Sequence, residues 1–180
     1  FMSSKSPQKT AELALRSVPG LDPAEKEIQI GLKYFMDGQE DKVVEHFKKA
    51  IRYYPRDPNL YKILYITQFQ YLKDLEGALQ TLEDAIRVQP DYALAYNQLG
   101  YLLMELEQFD RAEKAFDKYI ELAPELANPY DSKGDFFMSV KKYDQAYKSY
   151  MKAYEMDDYF KVSLKKAEKA KSLSEGHGDE

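Results

Sequence analysis

The segment YNQLGYLLMELEQFDRAEKAFDKYIELAP, residues 96–124, decides the fold of this chain. Its first half has apolar residues at the three- and four-residue spacing of an amphipathic helix, namely Tyr96, Leu99, Leu103 and Leu106. Gly100 lies in the middle of this helix, where glycine costs about 1 kcal/mol relative to alanine. We therefore expect a close contact at Gly100 that leaves no room for a side chain.

The same pattern returns 34 residues later, in PYDSKGDFFMSVKKYDQAYKSYMKAYEMDDYF. At this offset the matching pairs are Gly100 with Gly134, Phe109 with Tyr143, Ala112 with Ala146, and Phe116 with Tyr150. Stepping back through the chain gives two further units, so the predicted units are residues 24–57, 59–92, 93–126 and 127–160. Each contains two helical stretches of about 13 residues joined by a short turn, which predicts a helical hairpin.

This arrangement resembles the tetratricopeptide repeat family, in the form common among bacterial proteins. The resemblance in the third unit rests on Tyr96, Leu99, Gly100, Leu103, Ala112, Phe116 and Pro124. It implies an all-α fold, a right-handed superhelix of four helical hairpins with an N-terminal helix and a C-terminal capping helix. It also implies that Gly100 faces Ala112 of the partner helix, with Phe116 and Tyr96 filling the space around that contact.

Four positions depart from the family pattern. Ile66 replaces the small residue of the second unit, and Lys133 stands where leucine is usual. Tyr119 replaces the second alanine of its unit, and Asp158 replaces the last proline. We expect these changes to alter local packing rather than the fold.

The two ends of the chain are predicted to be helical. Residues 1–23 are the predicted N-terminal segment, in which residues 7–23 resemble the second half of a repeat, with Ser6 as N-cap and Pro7 as the first helical residue. This segment is either a cap that begins the protein or part of a longer repeat array. Residues 161–173 predict a capping helix with a lysine-rich polar face, and residues 174–180 predict a disordered tail.

Composition narrows the classes of function. The net charge of -5 argues against nucleic acid as the main partner. The absence of cysteine excludes disulfides, thiolate zinc sites and a cysteine nucleophile. No apolar run approaches the roughly 18 residues of a membrane span. The sequence as given carries no secretion signal and favours the cytoplasm, whereas a processed or truncated form would allow the periplasm.

No arrangement of residues indicates catalysis. His46 is expected to point to solvent, and His177 lies in the predicted tail. The carboxylates do not cluster with histidine at metal-ligand spacing, and there is no glycine-rich phosphate loop. We therefore expect a protein that is not an enzyme and that holds neither a cofactor nor a metal.

In the resembled fold, the first helices of the hairpins line a concave groove. The predicted peptide-binding residues are Thr67, Gln70, Tyr71, Asn97, Tyr101, Met104, Glu105, Asp131 and Asp135. The matching positions of the first unit are Ile28, Leu32, Phe35 and Met36, and the last three either face the groove or pack on the N-terminal helix. This gradient from apolar to acidic would suit a peptide with an apolar end and a basic end.

The sequence leaves two hypotheses of function. The first is a scaffold that binds a peptide or protein segment in the groove. The alternative is a regulatory or sensor segment of a longer polypeptide, which contacts other domains of the same chain. Self-association into a homo-oligomer is compatible with either. Binding of acidic chaperone tails is disfavoured, because Asp131 and Asp135 would repel a terminal carboxylate.

Overall fold

The computed structural model describes residue 14 and residues 20–157 and 161–176. Over these residues it contains helices and turns without a strand, which confirms the predicted all-α class. The helices are α1 Pro23–Met36, α2 Glu40–Tyr53, α3 Pro58–Ile66, α4 Leu75–Val88, α5 Ala93–Glu105, α6 Phe109–Leu122, α7 Ala127–Ser139, α8 Tyr143–Met156 and α9 Lys161–Gly176. The chain divides into two compact parts at Pro90, each larger than one repeat. From here on, unit 1 is the part with α1 to α4, and unit 2 is the part with α5 to α9.

Aspartate side chains fix where three helices of unit 1 begin. Asp22 accepts a hydrogen bond of 2.8 Å from the backbone N–H of Ala24, at the start of α1. Asp57 and Asp74 do the same at the starts of α3 and α4, with bonds of 2.9 Å. Each carboxylate satisfies a backbone donor that has no partner inside the helix.

An aromatic ring lies over a glycine in three helix pairs. A Cβ atom placed on the glycine would approach a ring carbon to 2.8 Å at Gly31 and Phe47, 2.6 Å at Gly100 and Phe116, and 2.5 Å at Gly134 and Tyr150. The ring of Phe116, rather than Ala112, therefore excludes a side chain at Gly100. Phe116 is fully buried, and burying such a ring stabilises by about 2–3 kcal/mol, more than the penalty of a glycine inside a helix.

The pair formed by α3 and α4 lacks this contact. Ile66 stands at the glycine position, and the chain continues from it as a π-helical segment, Thr67–Leu72. Within that segment the side chain of Gln68 is buried and accepts a hydrogen bond of 2.6 Å from the Thr81 hydroxyl on α4. A polar bond between the helices thus takes the place of the ring contact, and the local packing differs from that of the other three pairs.

Lys133 occupies the leucine position of the family pattern and remains in the core. Only 5% of the residue is exposed. Its ammonium group donates to the Glu113 carbonyl oxygen at 3.2 Å and lies 2.8 Å from Oδ1 of Asp117. The alkyl stem is therefore buried like leucine, while the charge is neutralised at the edge of the core.

The prediction that His46 points to solvent is wrong. His46 is 3% exposed, and its Nδ1 lies 2.7 Å from Oε2 of Glu27, which is also buried. Its ring stacks on Tyr34 with the centroids 5.4 Å apart. The face of α2 that carries His46 packs on α1, so the apolar neighbours of His46 in the sequence did mark a buried position.

Helix α9 matches the predicted capping helix and extends beyond it. Ala167 and Ala170 are fully buried, as is Ser163. The helix runs three residues past the predicted end, and the Ser174 hydroxyl lies 2.5 Å from Asp144. The predictions for the N-terminal helix before residue 20, apart from residue 14, for Asp158 and for the tail from residue 177 lie outside the described residues.

We predict that Gly100→Ala destabilises the fold by about 1–3 kcal/mol, because the added methyl group would overlap the Phe116 ring. This loss is expected even though alanine favours a helix by about 1 kcal/mol. Urea unfolding followed by circular dichroism measures the change. Gly176→Ala is the control, since a Cβ atom there meets nothing within 4 Å. A Gly100→Ala variant as stable as wild type would contradict the ring contact.

Candidate functional site

Unit 1 presents a cluster of exposed apolar side chains at the end of α1 and on the π-helical segment. We call Leu32, Phe35, Met36 and Tyr71 the aromatic surface. Met36 is 85% exposed and Tyr71 is 51% exposed. The rings of Phe35 and Tyr71 meet edge to face, with their centroids 5.2 Å apart. This contact joins the predicted positions of the first and second repeat units into one surface.

The π-helical segment separates the other predicted residues of unit 1. Thr67 is fully buried, and its hydroxyl donates to the Ile63 carbonyl at 2.9 Å. The expectation that Thr67 meets a peptide is therefore wrong. Gln70 and Tyr71, by contrast, are exposed. A π-helical turn spaces side chains differently from an α-helical turn, so the regular helical spacing used for the sequence prediction does not hold here.

In unit 2, the two predicted acidic residues are bound by the C-terminal helix. The ammonium group of Lys166 lies 2.8 Å from Oδ2 of Asp131 and 2.8 Å from Oδ1 of Asp135. The Ser163 hydroxyl lies 2.5 Å from the other oxygen of Asp131. A peptide with a basic end would have to displace Lys166 from this site.

Tyr101 and Tyr150 complete a polar cluster, whose other members are Asp131, Asp135, Ser163 and Lys166. The hydroxyls of Tyr101 and Tyr150 each donate to Asp135, at 2.8 Å. The ring of Tyr101 also packs edge to face on Phe116, with the centroids 5.2 Å apart. Tyr101 was predicted to contact a peptide, but its hydroxyl is engaged within the fold.

The surroundings in the polar cluster raise the pKa of Tyr101, Tyr150 and Lys166. Burial raises the pKa of Tyr101 and Tyr150, and the Asp135 carboxylate raises both further. Burial by itself lowers the pKa of Lys166, but its hydrogen bonds to Asp131 and Asp135 outweigh that effect, so the pKa lies above the usual value for lysine. The tyrosines therefore stay neutral and Lys166 stays charged at physiological pH.

The remaining predicted residues of unit 2 lie on α5. Asn97 precedes Tyr101 by one helical turn, and its Oδ1 atom is buried without a hydrogen-bond partner among the described residues. Met104 is half-buried, and Glu105 is exposed. An acceptor that is shielded from water and unpaired costs free energy.

Comparison with known proteins identifies the family. Models described as "TPR repeat" and "Tetratricopeptide repeat" match residues 69–107, and residues 93–126 and 127–160, respectively. This chain belongs to the tetratricopeptide repeat family. The matched ranges together extend from residue 69 to residue 160, which is just over half of the 180 residues. No curated protein matches the sequence significantly.

Solved structures of tetratricopeptide repeat proteins are similar to this chain. One is a crystal structure of MamA, with a TM-score of 0.68 and 25% identity, covering 84% of this chain and 87% of that one. A MamA fragment from Desulfovibrio magneticus has a TM-score of 0.64 and 17% identity, covering 87% and 93%. A thermophilic TPR protein of Thermus thermophilus has a TM-score of 0.61 and 23% identity, covering 92% and 88%. The last two show the fold alone.

Among the helices that the structure describes, none combines the length and the apolar character needed to cross a bilayer. Over the same part of the chain, no three histidine or carboxylate side chains are grouped as metal ligands would be.

Lys166 belongs to the C-terminal helix whose lysines were predicted only to form a polar face, so the sequence did not assign it to a site. Lys166 follows Asp131 by 35 residues and Asp135 by 31, close to the repeat length of 34. Treating α9 as the first helix of another repeat would have placed Lys166 beside the helix that carries both aspartates. The repeat offset was therefore the signal that could have found this contact.

We predict that the polar cluster contributes less to the free energy of unfolding at alkaline pH. Because the pKa of Tyr101 and Tyr150 is raised by folding, their contribution is complete below about pH 10, where tyrosine ionises in the unfolded chain. This contribution declines as the pH rises above about 10 towards the pKa that the two tyrosines have in the folded chain. The free-energy difference between wild type and Tyr101→Phe/Tyr150→Phe should therefore be smaller at pH 11 than at pH 8, in urea unfolding.

Leu126→Ala is the control for this pH series, since it removes an exposed side chain without a titratable group. Its difference from wild type should be the same at both pH values. An equal difference at pH 8 and pH 11 for the double tyrosine variant would contradict the assigned hydrogen bonds.

Proposed function

We propose that this chain is a non-catalytic scaffold that binds a peptide or protein segment on the surface presented by the first helices of its repeats. Membership of a family whose repeats are generally interaction modules supports this function. The observation that carries the proposal is the aromatic surface of unit 1. Its four side chains are large and apolar, and each is at least 36% exposed.

The aromatic surface has the properties of a contact site for apolar side chains. Clustered exposed apolar residues are unfavourable in water and are typical of interaction sites. The edge-to-face contact between Phe35 and Tyr71 restricts both rings before binding, which lowers the entropy cost of association. Met36 has a flexible side chain that adapts to partners of different shape. Gln70 adds an exposed amide beside Tyr71, suited to a peptide backbone.

In unit 2, the proposed contacts are Asn97, Met104 and Glu105. The side-chain amide of Asn97 is proposed to turn outward and bond the peptide backbone, because its Oδ1 atom is buried without a partner in the free chain. Glu105 adds negative charge at an exposed position. Asp131 and Asp135 are left out of this set, because Lys166 and their hydroxyl partners already satisfy them.

Peptide selection tests this proposal. A display library of random twelve-residue peptides is selected on wild type, and the isolates are titrated by calorimetry against Leu32→Ala/Met36→Ala/Tyr71→Ala. We expect binding to weaken about tenfold or more, because aromatic and large apolar side chains dominate such contacts. A second variant, Asn97→Ala, is expected to weaken isolates that bond its side-chain amide.

The matched control is Leu94→Ala/Leu126→Ala/Val162→Ala, which removes three other exposed apolar side chains. Circular dichroism establishes that each variant is folded. Isolates that bind the control and the aromatic-surface variant equally would refute the assignment of the surface. Failure to enrich any peptide on folded wild type would count against peptide binding itself.

A further inference from the structure

Besides the aromatic surface, unit 1 has a groove on the side formed by the second helices of its repeats. It encloses about 550 Å³ between α2 and α4, with α3 beneath them. Its floor is apolar and includes Ile51, Leu64 and Val88. None of the residues of the aromatic surface lines it, so it is a separate site. Its test therefore does not depend on the function proposed above.

The rim of this groove carries positive charge. Lys48 and Arg52 lie one turn apart on α2, and Arg87 lies on α4. Arg87 is paired with Asp84, the acidic residue of the rim. Lys48 and Arg52 form no ion pair with any carboxylate of the described chain. These two cations border an apolar floor, in a protein whose net charge is -5.

This charge is not a general property of the repeat. Helix α6 corresponds to α2 at an offset of 69 residues, and α8 corresponds to α4 at an offset of 68. The residues of unit 2 that match Lys48, Arg52 and Arg87 are Asp117, Glu121 and Glu155. The sign of the charge is therefore reversed at all three positions. Repeat structure alone would allow either sign, so the positive rim is specific to unit 1.

We propose that this cationic groove binds an acidic peptide segment of a partner protein, which inserts an apolar side chain between α2 and α4. The apolar side chain would lie on Ile51 and Leu64, and carboxylates on either side of it would pair with Lys48 and Arg52. The lining residues of α4 run from Gly77 to Val88, about 16 Å of helix, so the groove is an open trough rather than a closed cavity. This shape favours a peptide over a small amphipathic anion.

Fluorescence anisotropy with a labelled peptide, Asp-Glu-Glu-Leu-Phe-Glu-Glu-Asp, tests this proposal at low salt. Wild type is expected to bind it saturably. Lys48→Gln/Arg52→Gln should weaken binding about fivefold to tenfold, as expected for two ion pairs at a solvent-exposed rim. Gln80→Trp adds a ring at an exposed position that lines the groove and should weaken binding without a change of charge. The control, Lys165→Gln/Lys169→Gln, removes two exposed charges from unit 2 and should bind like wild type.

Two comparison peptides show whether binding depends on the apolar pair and on the acidic residues of the labelled peptide. Replacing Leu-Phe by Gly-Gly should abolish most of the binding, and replacing every acidic residue by lysine should abolish it entirely. Equal binding of the acidic peptide to Lys48→Gln/Arg52→Gln and to wild type would overturn the proposal, as would the absence of saturable binding. Displacement of the peptide by dodecanoate at micromolar concentration would assign the groove to a small amphipathic anion instead.

Discussion

The contact of an aromatic ring with a glycine on the facing helix is the constraint on which this structure depends. Phe47, Phe116 and Tyr150 each lie where a side chain of the glycine would otherwise be. The glycine lets two helices approach closely, and the ring fills the space between them. Because the glycine faces its partner helix, the next residue along the first helix lies at the edge of the contact. Leu32, which follows Gly31, belongs in this way to the aromatic surface.

Much of the fold could be predicted from the sequence, because the glycine and the ring recur at a fixed offset and leave few alternative packings. The helical class, the helix pairs and the C-terminal helix all follow from that periodicity. The irregular π-helical segment could not be predicted in the same way. The segment places Gln68 in the core, where it bonds Thr81, and this effect has no repeat signature.

The candidate sites were less predictable than the fold, since they depend on which polar groups satisfy one another. Asp131 and Asp135 have the residue types of a site for a basic peptide, but Lys166 binds both from the C-terminal helix. His46 has the residue type of a surface histidine, but Glu27 gives it a buried partner. Contacts of this kind join residues 19 to 35 positions apart, so local sequence does not reveal them.

Unit 1 thus has two chemically different surfaces, one on the first helices of its repeats and one on the second helices. The first helices carry exposed aromatic and apolar side chains, and the second helices carry a cationic groove. Neither surface includes a glycine or a ring of the glycine–ring contacts. Family membership therefore gives the fold and not the partner.

The most direct measurement of the central constraint is a double-mutant cycle at Gly31 and Phe47, by urea unfolding. The added methyl group of Gly31→Ala would lie 2.8 Å from the Phe47 ring in wild type, whereas Phe47→Leu leaves space for it. We predict that the cost of Gly31→Ala falls by about 1 kcal/mol or more in the Phe47→Leu background. Additive effects, within about 0.3 kcal/mol, would contradict the account.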